Sequence, residues 1–303
     1  MNKPQQIDRP RLLRLATYAS VATATTLILA KLLAWFISDS VSILATLVDS
    51  SLDVLASVLN MIAVHHALQP ADREHRFGHG KAEALAGLGQ SMFIAGSAGI
   101  LLLQAISRLI NPQPLEKGLE LGIGVMLLSI VATLALLSFQ RYVIRRTDST
   151  AIKADALHYK TDLLVNGSVI VALLLSFYGW DVVDPLFAIA IALFILHSAW
   201  QIVREAVDLL MDHELPDEDR QKIRALITNH PDAIGFHDLR TRQSGNTVFV
   251  QLHLELNENL SLRQAHAIAD ELENKVAALF DEAEVIIHED PVTHMPPGIT
   301  SRK

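Results

Sequence analysis

The sequence predicts an α-helical membrane protein with six transmembrane helices, followed by a small C-terminal α+β domain of order αββαβ. Three observations carry that reading. Half of the 303 residues are apolar and only 19% are charged, giving a mean hydropathy of +0.31. The apolar residues gather into long runs that end near residue 212. Beyond that point the chain is charged and alternating for roughly 90 residues, about one small domain. The division expected is therefore a membrane domain over residues 1–212 and a water-soluble domain over 213–303.

The six spans are expected at 15–37, 41–67, 84–110, 119–143, 157–178 and 183–211. Each has roughly the 20 residues that a bilayer core requires. Ser38-Asp39-Ser40 and Gly179-Trp180-Asp181 are short connections, and Asn111-Pro112-Gln113-Pro114 is a break. The leading segment Met1 to Pro10 is polar and lacks a small-residue cleavage site, so the first run reads as a retained span. Lysine and arginine set the orientation. Lys3, Arg9, Arg11 and Arg14 precede the first span, Arg73, Arg76 and Lys81 follow the second, and Arg141, Arg145, Arg146 and Lys153 stand between the fourth and fifth. Both termini are expected in the cytoplasm. The third span is rich in Ala, Gly and Ser, which permit close helix approach in lipid. With almost no charge at their centres, the third and sixth spans read as scaffold.

In the soluble part, Pro216-Asp217-Glu218 opens a helix, with acids in its first turn. Thr247 to Leu256 alternates, placing Val248, Val250, Leu252, Leu254 and Leu256 on one face and leaving Phe249 as the apolar exception on the other. Gly245-Asn246 joins this strand to one near Leu239. Ser261 caps a helix to about Leu279, and Val285 to His288 forms a last strand.

Chemistry concentrates in the spans. Asp49 and Asp53 stand four residues apart in the second, and His158 and Asp162 repeat the spacing in the fifth. At 3.6 residues per turn each pair projects from one helix face. Ionisable side chains in hydrocarbon cost several kcal/mol unless they face a protein interior. Three carboxylates and one imidazole offer a cage for a divalent cation, and a four-ligand set with an imidazole favours Zn²⁺. The competing account makes them structural hydrogen-bonders, and two such pairs in separate spans weigh against it. With a neutral His158 the empty cage carries −3, which Zn²⁺ reduces to −1, so protons should enter as metal leaves. Histidine changes charge near neutral pH, which makes His158 the natural carrier.

Two further sets are weaker. Asp72, His75 and His79 lie in the loop after the second span and suit one metal ion or an ordinary solvated loop equally well. Gly78-His79-Gly80-Lys81 lacks the spacing of a phosphate loop. His237, His253, His266, His288 and Asp290 lie in the soluble part, with His288 and Asp290 on one strand face. Composition excludes other classes. The chain has no cysteine, hence no disulfide or thiolate site. No basic stripe points to nucleic acid, and the net charge of −8 lies mainly in the C-terminal third. The absence of H-E-x-x-H argues against an intramembrane metalloprotease, and no other enzyme is indicated.

Leu47-Val48-Asp49-Ser50-Ser51-Leu52-Asp53, Phe77-Gly78-His79-Gly80-Lys81-Ala82-Glu83, and Ala154 through Asp162 together resemble the cation diffusion facilitators, nearest their bacterial zinc exporters. The resemblance spans nearly the whole chain. It implies a homodimer in the inner membrane, with a metallochaperone-like cytoplasmic domain, exporting Zn²⁺ or Cd²⁺ against inward protons. It also implies that Asp49, Asp53, His158 and Asp162 form the transport site and that Asp72, His75 and His79 form a loop site. His237, His253, His266, His288 and Asp290 would form a two-zinc site where the soluble domains meet. Lys81 and Asp212 resemble a charge interlock joining the halves of the dimer. Glu289 departs from the uncharged amide that can stand between the equivalent His and Asp in close relatives. The competing readings are an Fe²⁺ or Mn²⁺ exporter on the same architecture and a membrane zinc sensor without flux.

Overall fold

The computed structural model describes residues 9–38, 41–110, 120–176 and 183–292. The chain folds as two units, residues 1–71 with 81–207, and residues 72–80 with 208–303. The connections expected at Ser38-Asp39-Ser40, Asn111-Pro112-Gln113-Pro114 and Gly179-Trp180-Asp181 lie wholly or partly outside the described residues.

The first unit is built from α1 (Arg9–Ser38), α2 (Val41–Ala67), α3 (Lys81–Ile110), α4 (Glu120–Thr147), α5 (Thr150–Ser176) and α6 (Val183–Leu210). Each is 27 to 30 residues long, or about 40–45 Å of helix. Among the described residues, α1, α3, α4 and α6 contain stretches long and apolar enough to cross a membrane. The remaining two, α2 and α5, carry the ionisable residues singled out above. Large apolar side chains such as Leu33, Phe36, Leu103 and Trp200 are exposed on the outside of the bundle, as a lipid-facing surface requires. Inside, α6 presents Ala192, Ile195, Ala199, Ile202 and Ala206, all buried. That 3–4 spacing makes one stripe, whose middle packs against Ile94 and Ala98 of α3 and Ala154 and Leu157 of α5.

The long basic loop expected between the fourth and fifth spans is absent. Both helices continue to a two-residue link, where Asp148 takes φ +50° and the Ser149 hydroxyl accepts from the Ile152 amide at 3.2 Å. Ser149 thus caps α5, and the basic residues ride on helix ends. Lys153 binds Glu205 at 2.6 Å and Asp148 at 2.9 Å. Although partial burial opposes charge there, these two carboxylates hold the Lys153 pKa above its ordinary value.

The second unit runs α7 (Asp217–Thr228), β1 (Gly235–Ser244), β2 (Thr247–Asn257), α8 (Leu262–Ala277) and β3 (Ala283–Val292). The sheet order is β1-β2-β3, with β1 antiparallel and β3 parallel to β2. Parallel pairing needs a crossover, and α8 supplies it, started by a capping box between Ser261 and Gln264. The five alternating residues from Val248 to Leu256 are buried and meet Ile223 and Ile227 of α7 and Leu272 and Val276 of α8. Strand β3 is longer than expected because its pairing with β2 continues to Val292; Pro291 is tolerated because β3 is an edge strand.

Phe249, the apolar exception on the opposite face, is also buried. Phe77 stacks on it edge-to-face at 5.6 Å, and the Arg242 guanidinium covers both rings. The loop of residues 72–80 therefore belongs to the soluble fold. Its end approaches the β1–β2 turn so closely that a Cβ on Gly80 would lie 2.6 Å from the backbone of Ser244 and Gly245. Gly245 itself has φ +62°.

Candidate metal centres

In the membrane unit, His158 Nε2 lies 3.0 Å from Asp53 Oδ1 and 3.9 Å from Asp162 Oδ2. One ligand atom from each of Asp53, His158 and Asp162 falls within 4.8 Å of the others. The local i,i+4 spacing puts His158 and Asp162 on one side of α5, and the packing of α2 beside α5 brings Asp53 to them. Asp49 lies on α2 one turn before Asp53, and its side chain lies outside the described residues. The three residues line a cavity of about 370 Å³ whose walls also include Ser50, Asn166 and Lys31.

The loop set also converges: Asp72, His75 and His79 offer ligand atoms within 4.8 Å of one another. Asp72 Oδ1 accepts from the amides of His75 at 2.6 Å and Glu74 at 2.9 Å. The His75 amide is the main cause that holds the Asp72 carboxyl below its ordinary 3.8. The turn thus presents an ionised Asp72, with Oδ2 3.4 Å from His79 Nε2.

Strand register assembles the third set. His237 of β1 is opposite His253 of β2, which is opposite His288 of β3. The rings form a row, with centroids 5.0 and 4.7 Å apart. Asp290 spans it: Oδ2 lies 3.3 Å from His237 Nε2 and 3.0 Å from His253 Nδ1, while Oδ1 lies 3.2 Å from His288 Nε2. His266 is not in this group; it is exposed on α8, and its Nδ1 lies 3.8 Å from Glu289 Oε1.

Residues 17–211 match the cation efflux transmembrane domain, and residues 215–292 match the cation efflux protein cytoplasmic domain. This chain belongs to the cation efflux family. A cation-efflux pump FieF from Klebsiella pneumoniae subsp. pneumoniae is 51% identical over 94% of this chain and 95% of its own. One from Salmonella paratyphi A is 50% identical over the same shares. A solved structure of CzrB, described as a candidate zinc transporter, is 34% identical over 26% of this chain and 98% of its own, with a TM-score of 0.25. The resemblance read from the motifs is thereby borne out. The chain is a membrane transporter for cations and not an enzyme, with a helical membrane domain and a cytoplasmic domain around a three-stranded sheet.

Several features of this cation efflux protein escaped sequence reasoning. Asp155, one turn before His158, is completely buried. It is bonded to Ser20 of α1, Gln140 of α4 at 2.7 Å and Gln90 of α3 at 3.2 Å. Tyr159 adds bonds to Ser57 of α2 at 2.9 Å and the Ser20 carbonyl at 3.1 Å. This polar knot ties five helices together beside His158. The signal was present as a second acid in α5 beside Asp162, but nothing local distinguished it from a surface residue near a helix start. Glu255 was also missed: its Oε1 lies 3.1 Å from His237 Nδ1. Period two from His253 would have placed it on that face.

Proposed function

We propose that this protein exports Zn²⁺ from the cytoplasm across the inner membrane, as a homodimer, in exchange for protons. The observation that carries the reading is the meeting of Asp53, His158 and Asp162 in one cavity between helices. Two carboxylates and an imidazole at this separation suit a borderline divalent cation, and Asp49, one helical turn away in sequence, would supply the fourth ligand of a tetrahedral set. Cd²⁺ accepts the same donors. Loss of the cation leaves closely spaced carboxylates in a low-dielectric surrounding, which favours proton entry. The cation would enter from the cytoplasm and leave outward as the helices rock around the fixed site.

Asp72, His75 and His79 would form a separate loop site on the cytoplasmic face. His237, His253, His288 and Asp290 would form the cytoplasmic-domain site, with His266 reaching it only from outside the row. Asp290, with one oxygen toward two imidazoles and the other toward the third, has the disposition of a carboxylate bridging two ions. Filling that site would tie two protomers together and couple cytoplasmic metal level to export.

Flux into proteoliposomes, read with a zinc-sensitive dye on one side and a pH dye on the other, tests the reading. Wild-type protein should move Zn²⁺ with opposite proton movement, and Asp49→Ala or Asp53→Asn should stop both. Normal flux in either variant would sink the proposal. Fe²⁺ accepts imidazole and carboxylate equally well and is the competing cargo. A metal preference unchanged by His158→Asp would favour it over Zn²⁺.

A further inference from the structure

The transport cavity contains a charge that the balance of three carboxylates and one imidazole leaves out. Lys31 of α1 lines the same cavity as Asp53, His158 and Asp162. It sits in the apolar run Leu27 to Trp35, seven residues before α1 ends at Ser38, or about 10 Å of helix. A lysine so placed ordinarily extends its stem toward the membrane surface. This one turns inward. Its ammonium donates to the Ser50 hydroxyl of α2, and Ser50 is buried. Ser50 directly follows Asp49 and lies almost one turn before Asp53, so the bond holds the ammonium at the level of the carboxylates.

An ammonium inside a helical bundle is costly unless opposite charge faces it. The cavity provides that charge, and the balance changes accordingly. On the transport reading, which adds Asp49, three ionised aspartates and a neutral His158 carry −3; with Lys31 the empty, deprotonated cavity would carry −2. One divalent cation then brings it to zero, whereas without Lys31 the loaded cavity would stay at −1. A monovalent ion leaves −1 and a trivalent ion gives +1, both unfavourable in a low-dielectric interior.

We propose that Lys31 is a built-in counter-cation of the transport cavity, setting its charge so that a single divalent ion neutralises it. The inference rests on the transport reading given above. Its consequence is kinetic as well as selective: the ammonium weakens cargo binding and so speeds release.

The test is zinc transport by full-length protein in proteoliposomes, at one fixed pH, with KM and kcat separated. Lys31→Met should lower KM about tenfold or more, because a like charge near the cation is gone, and should lower kcat as release slows. Lys31→Gln retains a donor for Ser50 and should behave the same way, which covers the case of a Met variant that does not assemble. Lys31→Arg, which keeps the charge, should restore the wild-type KM. Ser50→Ala removes the hydrogen bond but not the charge, so its shift should be much smaller than that of Lys31→Met.

A purely structural lysine predicts the reverse pattern, with KM rising or unchanged in Lys31→Met and Ser50→Ala resembling it. Either result overturns the proposal. Asp53→Asn is run alongside. If it transports normally, the transport reading itself fails; if it is inactive while Lys31→Met keeps the wild-type KM, only the role of Lys31 fails.

Discussion

The buried Asp155 knot yields a quantitative prediction about how the transport helices are held. Gln140 Nε2 reaches both Asp155 Oδ2 at 2.7 Å and Ser20 Oγ at 3.0 Å. Gln90 Nε2 reaches Asp155 Oδ1 at 3.2 Å. Asp155→Ala removes the acceptor shared by three helices. Ser20 keeps the Ala16 carbonyl and Gln140 keeps Ser20, but the described partner of the Gln90 amide nitrogen is lost. An orphaned buried donor costs about 1–3 kcal/mol, and a lost hydrogen bond to a carboxylate about 1.5–3, so Asp155→Ala should destabilise by about 3–5 kcal/mol. Gln140→Ala should cost about 2 kcal/mol. In the double variant the Gln140–Asp155 bond is lost once, not twice. The two effects should therefore fall short of additivity by about 2 kcal/mol. Neutral interhelical pairs in membranes average only ~0.6 kcal/mol; a buried carboxylate should exceed that. SDS-titrated unfolding in mixed micelles, followed by circular dichroism, measures all four corners of the cycle. Additivity within about 0.5 kcal/mol would mean that the residues act independently and would refute the knot.

Other consequences are simpler to test. Gly80→Ala places a methyl group 2.6 Å from the Ser244 and Gly245 backbone, so it should cost about 1–3 kcal/mol and expose the loop to limited proteolysis. An unchanged cleavage pattern would contradict that packing. Asp72→Ala should remove one zinc equivalent per protomer by calorimetry. Because the folded-state pKa of Asp72 is depressed below 3.8, its contribution is complete above that value and is lost only as pH falls through the lower, folded-state pKa. Asp72 should therefore add no pH dependence to loop binding between pH 5 and 8. His253→Ala removes the middle ring of the three-strand row and should remove that site's share of the zinc-induced stabilisation of the soluble domain, leaving only the share of the loop site. For the wild type at a hundredfold excess over Kd the row's share is about 2.7 kcal/mol, and differential scanning fluorimetry would register its loss. A variant that still responds fully to zinc would mean that the row is not the binding site.

Much of the architecture was legible because its signals are local. Apolar run length marked the helices, and alternation from Val248 to Leu256 identified the buried face of β2. The capping pair Ser261 and Gln264 marked the start of α8. The i,i+4 pairs were legible for the same reason, since helical period alone sets which side chains share a face. The short link between α4 and α5 was not legible, because arginine and lysine occur at helix ends as readily as in connections. The soluble character of residues 72–80 was also hidden, because it depends on Phe77 finding Phe249 far along the chain.

By itself, the sequence determined the helices and strands, which face of each is apolar, and which ligand-type residues lie one turn or two strand positions apart. These follow from backbone hydrogen bonding, whose period is short and nearly independent of what surrounds it. Only the tertiary structure decided which of those local pairs meet. Packing of α2 against α5 placed Asp53 3.0 Å from His158, and strand register placed His237, His253 and His288 in one row. Packing also turned Lys31 toward Ser50 and buried Asp155 among three other helices. Such meetings depend on how whole surfaces interlock, so residues with the same local surroundings in sequence can end up in lipid, in water or in a cation site.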